Sequence, residues 1–94
     1  MESNSLQEKL PKEAWPLVNR WLQAHPCGVK LCAPRKTKIG DFRPPRPNRP
    51  ALITLNNDLA PYPLLLTFTH ELAHWITWTR HTRRVAAHGS EWRA

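Results

Sequence analysis

In the first part of the chain the apolar positions Ala14, Trp15, Val18, Trp21 and Leu22 recur at helical spacing. They predict a helix from Pro11 to about Ala24, with Pro11 suited to its first turn and His25-Pro26 ending it. Pro16 removes a backbone donor, so this helix is either kinked there or starts near Trp15. Residues 1–10 are mostly polar and predict a disordered N-terminus. From Val29 the period changes to two, with Val29, Leu31 and Ala33 alternating with Lys30 and Cys32, as in a half-buried strand. Ile39-Gly40-Asp41-Phe42-Arg43 predicts a second strand with a bulge at Gly40. Pro44, Pro45, Pro47 and Pro50 make the next stretch a stiff loop. The third strand is Ala51-Leu52-Ile53-Thr54-Leu55-Asn56, and the short connections predict an antiparallel meander. Asn57-Asp58 supplies turn chemistry, and Pro61 and Pro63 fit the first turn of a long helix from about Pro61 to Arg80. The whole reads as one α+β domain over residues 11–94, since 94 residues leave no room for a second.

The candidate chemistry sits in the last helix. His70-Glu71-Leu72-Ala73-His74 lies in an apolar run from about Leu64 to Trp78, and on a helix His70 and His74 share one face a turn apart. Two neutral imidazoles so placed can reach one zinc ion, and the flanking Glu71 carboxylate can accept a proton from water and return it to a leaving amine. Two histidines can also be ordinary partly buried side chains. Phe68, Leu72, Trp75 and Ile76 around them argue otherwise, because burying two imidazoles and a carboxylate without a compensating ion is costly. A catalytic zinc takes a third protein ligand, and His81, His88 and Glu91 are the candidates downstream. His81 shares the face of His74 but lies about 10 Å further along a continuing helix, which is too far. A chain that breaks at Arg83-Arg84 and returns before Gly89-Ser90 can swing His88 over the pair, with Glu91 as its rival.

His70-Glu71-Leu72-Ala73-His74 followed by His88-Gly89-Ser90-Glu91-Trp92-Arg93 resembles the metal site of the SprT-like domain, the zinc peptidase module that includes Spartan. The segments Arg35 to Arg43 and Ile53 to Asn56 are similar to the strand region of bacterial SprT-like proteins, so the resemblance covers about residues 11–94. It implies a minimal zincin-like fold: an N-terminal helix, a three-stranded antiparallel sheet, the H-E-x-x-H helix and a short C-terminal helix. It also implies His88 as third zinc ligand, a protein or peptide substrate, and, as in Spartan, cleavage of proteins crosslinked to DNA. Members of the family commonly continue past this segment, which predicts that the C-terminal helix is truncated at Ala94. An extended substrate is expected on an exposed sheet edge, and zincin analogy suggests the strand Leu52 to Asn56.

Charge adds a second possibility. Fourteen Lys and Arg against seven Asp and Glu give a net charge of +7 and a pI near 10.3, which favours an anionic partner such as single-stranded DNA. Arg35, Lys36, Lys38, Arg43, Arg46 and Arg49 are the candidate contacts. The alternative function is therefore a basic nucleic-acid-binding module with a structural zinc. Glu71 argues for the enzyme, because a structural site has no use for an acid beside the ion and usually closes with four protein ligands. Trp15, Trp21 and Trp75 sit on apolar helical faces and are expected in the core rather than against bases. Cys27 and Cys32 are too few for a zinc site or a disulfide framework and are expected as reduced, partly buried thiols. No membrane span or leader pattern is evident, so a soluble, cytoplasmic protein is expected.

Overall fold

The computed structural model describes the backbone of residues 2–88 and the side chains of residues 6–82 within it. The elements in chain order are helix α1 (Glu2–Lys9), a short 3-10 turn (Lys12–Ala14), helix α2 (Trp15–Ala24), strands β1 (Gly28–Cys32), β2 (Gly40–Arg43) and β3 (Leu52–Asn56), and helix α3 (Pro61–His88). This is an α+β fold with a three-stranded mixed sheet. No helix among the described residues is long and apolar enough to cross a membrane.

The sheet departs from the expected meander. Its order is β1-β3-β2, with β3 parallel to β1 and antiparallel to β2. Burial accounts for the order: Ile53, Thr54, Leu55 and Asn56 are all buried, so both faces of β3 are covered, and the central position suits it. The flanking strands carry the exposed Lys30 and Arg43. The expected bulge at Gly40 is absent, because Gly40, Asp41, Phe42 and Arg43 pair in unbroken register with Leu55, Thr54, Ile53 and Leu52. What Gly40 provides is close approach, since a Cβ there would stand 2.7 Å from Thr67 Cγ2 on α3 and 3.0 Å from the Thr54 carbonyl oxygen.

The N-terminus is also corrected. Residues 2–9, within the segment expected to be disordered, form α1, and Leu6 is fully buried, with Leu10 nearly so. Two leucines one turn apart are enough to bury one edge of this otherwise polar helix. Pro16 falls at the start of α2, where its missing N–H costs no helical bond, so the helix begins at Trp15.

One core gathers Leu6, Leu10 and Val18 with Val29, Ile53 and Leu55 of the sheet and Leu64, Phe68 and Leu72 of α3. Phe42 joins it from β2, its ring 5.7 Å from that of Trp75. The other face of β3 is polar. There Arg35 donates from Nε to Asn56 Oδ1 at 2.8 Å and from Nη1 to Thr54 Oγ1 at 3.1 Å, so one guanidinium covers both buried polar side chains. The long helix continues to His88, past the break expected at Arg83-Arg84. No Gly or Pro occurs between Leu64 and His88, and arginines near a helix C-terminus complement its dipole, so local preference favours continuation.

Candidate metal centre and groove

Helix α3 sets the geometry of the centre. Phe68 and Leu72 turn into the core and fix the helix against β2 and β3. That rotation leaves His70 and His74 exposed, contrary to the burial expected from their apolar neighbours, and buries only Glu71, to 8 % exposure. The His70 and His74 Nε2 atoms lie 3.2 Å apart, and the rings meet nearly at right angles, with centroids 4.8 Å apart. Two zinc–nitrogen bonds of about 2.05 Å at a tetrahedral angle span roughly 3.3 Å between nitrogens. The imidazole pair therefore spans the bite of a zinc chelate, and the same 3.2 Å is a hydrogen bond between the two rings in the matching tautomer.

Among the described residues, no group of three or more His, Cys, Asp or Glu gathers as a metal set. The side chain of His88 and all of Glu91 lie outside the described residues. Along a continuous α3, the fourteen positions from His74 to His88 amount to about 21 Å. Closure by His88 thus requires the helix to end before that residue.

Two grooves follow one another along β2, and Gly40 and Glu71 border both. The larger, of about 600 Å³, is lined by Phe42, Pro44, Thr77 and Trp78 together with His74 and Glu71. His81 lines it too. The smaller, of about 430 Å³, takes in Lys38, Ile39, Leu66, Thr67 and His70. The strand beside the candidate centre is β2, which is an edge of the sheet, whereas the strand Leu52 to Asn56 expected to receive a substrate is central, with both of its sides already paired. Its apolar character made β3 look like a prominent strand in the sequence, and that same character places it in the middle of the sheet.

The basic residues separate into two groups. Arg35 is turned onto Thr54 and Asn56, and its Nη2 is buried with no hydrogen-bond partner among the described residues. Lys38 donates to Asp41 Oδ2 at 2.7 Å, and Arg43 Nε approaches the same oxygen at 3.5 Å. Burial pushes the Asp41 carboxyl up, but hydrogen bonds from Lys38 and Thr54 and the charges of Arg43 and Lys38 outweigh it and hold the group at about 2. Arg43, Arg46 and Arg49 line a pocket of about 650 Å³ with Phe42, Pro44 and Asn48. The proline-rich loop builds that pocket through reciprocal backbone hydrogen bonds between Arg46 and Arg49 and donation from Arg49 Nη2 to the Pro44 carbonyl at 2.9 Å. Lys36 is exposed.

Cys27 and Cys32 are both free thiols and partly buried, and burial pushes Cys27 up to about 11. The tryptophans Trp15, Trp21 and Trp75 pack against the core, and Trp75 Nε1 donates to the His25 carbonyl at 3.2 Å. Phe42 and the grooves on either side of Glu71 were not singled out as site features by sequence reasoning. The alternation in Gly40-Asp41-Phe42-Arg43 was a usable signal, because it puts Phe42 on the face opposite Asp41 and Arg43.

No family model matches the chain, and neither does any curated protein or solved structure.

Proposed function

We propose that this chain is a zinc-dependent endopeptidase of the SprT-like type. The observation that carries the reading is the 3.2 Å approach of the His70 and His74 Nε2 atoms beside a buried carboxylate, Glu71, that borders grooves along an open sheet edge. His70 and His74 would hold the ion, with His88 as third ligand on the strength of the sequence resemblance. Zinc bound there supplies Lewis acidity toward a carbonyl oxygen and makes water more acidic. Glu71 accepts the proton of the attacking water and delivers it to the departing amine nitrogen. An extended peptide has unpaired backbone groups on β2 to pair with, which would lay its carbonyls across the helix that carries Glu71. Chelation tests the reading: the zinc-reconstituted full chain should cleave an unfolded protein substrate, and a chelator should abolish cleavage until zinc is restored. Cleavage that survives removal of all metal would overturn it.

The Arg43, Arg46 and Arg49 pocket favours a nucleic-acid contact in addition to the peptidase site. In this reading DNA binds through phosphates beside the substrate edge, and substrates are proteins bound or crosslinked to DNA. The same pocket is the basis of the alternative, a basic nucleic-acid-binding module with a structural zinc and no peptidase activity.

A further inference from the structure

The larger of the two grooves has more structure than the hydrolytic step requires. Its wall is continuous with an aromatic row, in which the Phe42 and Trp75 rings are 5.7 Å apart and inclined at 33°, and the Trp75 and Trp78 rings are 5.7 Å apart and inclined at 31°. The middle ring is pinned to the end of α2 by the hydrogen bond from Trp75 Nε1 to the His25 carbonyl. Phe42, Pro44 and Trp78 face a volume of about 600 Å³, within the range of sites that bury small molecules and large side chains. Glu71 and His74 line the same volume, so whatever fills it lies against the candidate centre.

We infer that this groove is a side-chain subsite that selects a large apolar residue, with aromatic residues favoured, next to the bond to be cleaved; the inference rests on the peptidase reading. An aromatic occupant extends the row of tilted rings by one, a geometry that adds to simple area burial. A charged occupant gains little. Asp41 turns its carboxylate to Lys38 and Thr54 on the face of β2 opposite Phe42, and Glu71 is required for proton transfer. The groove is open along the side of β2, so an extended chain lying on that edge can drop one side chain into it while its backbone remains on the strand.

The test uses dye-labelled peptides that differ only in one residue, set in turn to Phe, Leu, Ala and Asp on either side of a fixed central bond. Cleavage is measured with the zinc-loaded full chain, and binding is measured separately by fluorescence anisotropy with zinc-loaded Glu71→Gln. At one of the two positions Phe and Leu should exceed Asp about ten- to a hundredfold in both kcat/KM and affinity, the range expected for burying one large apolar side chain. Trp78→Ala should reduce that ratio. Because Trp78 also stacks on Trp75, the second variant is Thr77→Phe, an exposed position on the groove wall, which should fill the groove and abolish the preference. Cleavage without discrimination, or discrimination that Thr77→Phe leaves unchanged, would overturn the subsite while the peptidase reading stands. Discriminating binding with no cleavage by the wild type would keep an apolar side-chain site in the groove but overturn the peptidase reading, and with it the placement of that site next to a scissile bond. Neither binding nor cleavage would overturn both.

Discussion

His70 and His74 present their Nε2 atoms to each other across 3.2 Å, on a helix face that the core leaves open to solvent. Without an ion, one ring can donate its Nε2–H to the other in the matching tautomer, and a zinc ion would replace that hydrogen bond with two coordinate bonds. We predict that the full chain binds about one zinc per molecule, and that His70→Ala and His74→Ala each weaken binding at least about tenfold in a competition titration with a chromogenic chelator. His81→Ala should leave affinity near wild type.

The third ligand gives a separate prediction with a structural readout. If His88 completes the site, zinc binding has to end α3 before His88, since a continuous helix leaves the two ends of the site about 21 Å apart. Backbone NMR shifts of residues 83–88 should move away from helical values when zinc is added, and His88→Ala should prevent the change while weakening affinity. Loss of metal in Glu91→Ala with retention in His88→Ala would transfer the ligand role to Glu91.

Gly40 is where β2 meets α3, and its lack of a side chain is what permits the contact. Gly40→Ala places a Cβ 2.7 Å from Thr67 Cγ2 and 3.0 Å from a backbone oxygen of β3, which cannot be relieved by a rotamer change alone. The expected loss of stability is about 1–3 kcal/mol, the usual cost of overpacking, read from the midpoint of urea unfolding. Because the same movement pushes β2 from α3, hydrolysis should fall more than the loss of folded protein explains.

Asp41 links β2 to the polar face of β3 through Thr54 and to the preceding turn through Lys38. Its carboxyl titrates at about 2 in the folded chain against an ordinary 3.8, so the folded state binds this proton less readily than the unfolded one. The stabilisation is therefore present above about pH 4 and is lost as the pH falls toward 2. Asp41→Asn should remove this acid dependence and cost about 1 kcal/mol at neutral pH, allowing for solvent screening of the Lys38 and Arg43 contacts. Urea titrations at several pH values between 2 and 6 would check both.

Nucleic acid should bind weakly and without sequence preference, with affinity falling steeply in salt at a log–log slope of about −0.7 per phosphate contacted on a single strand. The structure narrows the contacts expected from sequence. Arg35 is committed to Thr54 and Asn56, and Lys38 to Asp41, whereas Arg43, which also approaches Asp41 at 3.5 Å, shares a pocket with Arg46 and Arg49. Replacing those three with Ala should flatten the slope and leave zinc content unchanged, and anisotropy titrations at two or more salt concentrations would show it. No binding at low salt would assign the positive charge to solubility.

Local patterns in the sequence were sufficient for the helical spacing of α2, the alternation in β1, the presence of β2 and β3 as strands, and the placement of His70, Glu71 and His74 on one helix. What escaped them depends on partners distant in the chain. The order β1-β3-β2 follows from how completely β3 is buried, and no single strand's period reveals that. Leu6 and Leu10 look unremarkable among polar neighbours until a core exists to receive them. Arg35 is indistinguishable from a solvated cation in the sequence, because Asn56 becomes its partner only when the turn folds over the sheet. Gly40 suggested a bulge, and its role is set by Thr67 on a helix that begins some twenty residues later.

The central claim is that Glu71 acts as the proton acceptor of a hydrolytic zinc site, and Glu71→Gln tests it most directly, because the amide fills the same space without accepting a proton. Zinc-loaded wild type and zinc-loaded Glu71→Gln, matched in metal content and circular dichroism, should be assayed on one peptide substrate. The account predicts cleavage by the wild type and a loss of at least about a hundredfold in kcat for the variant. Equal cleavage by both, or none by either at full metal occupancy, would contradict it.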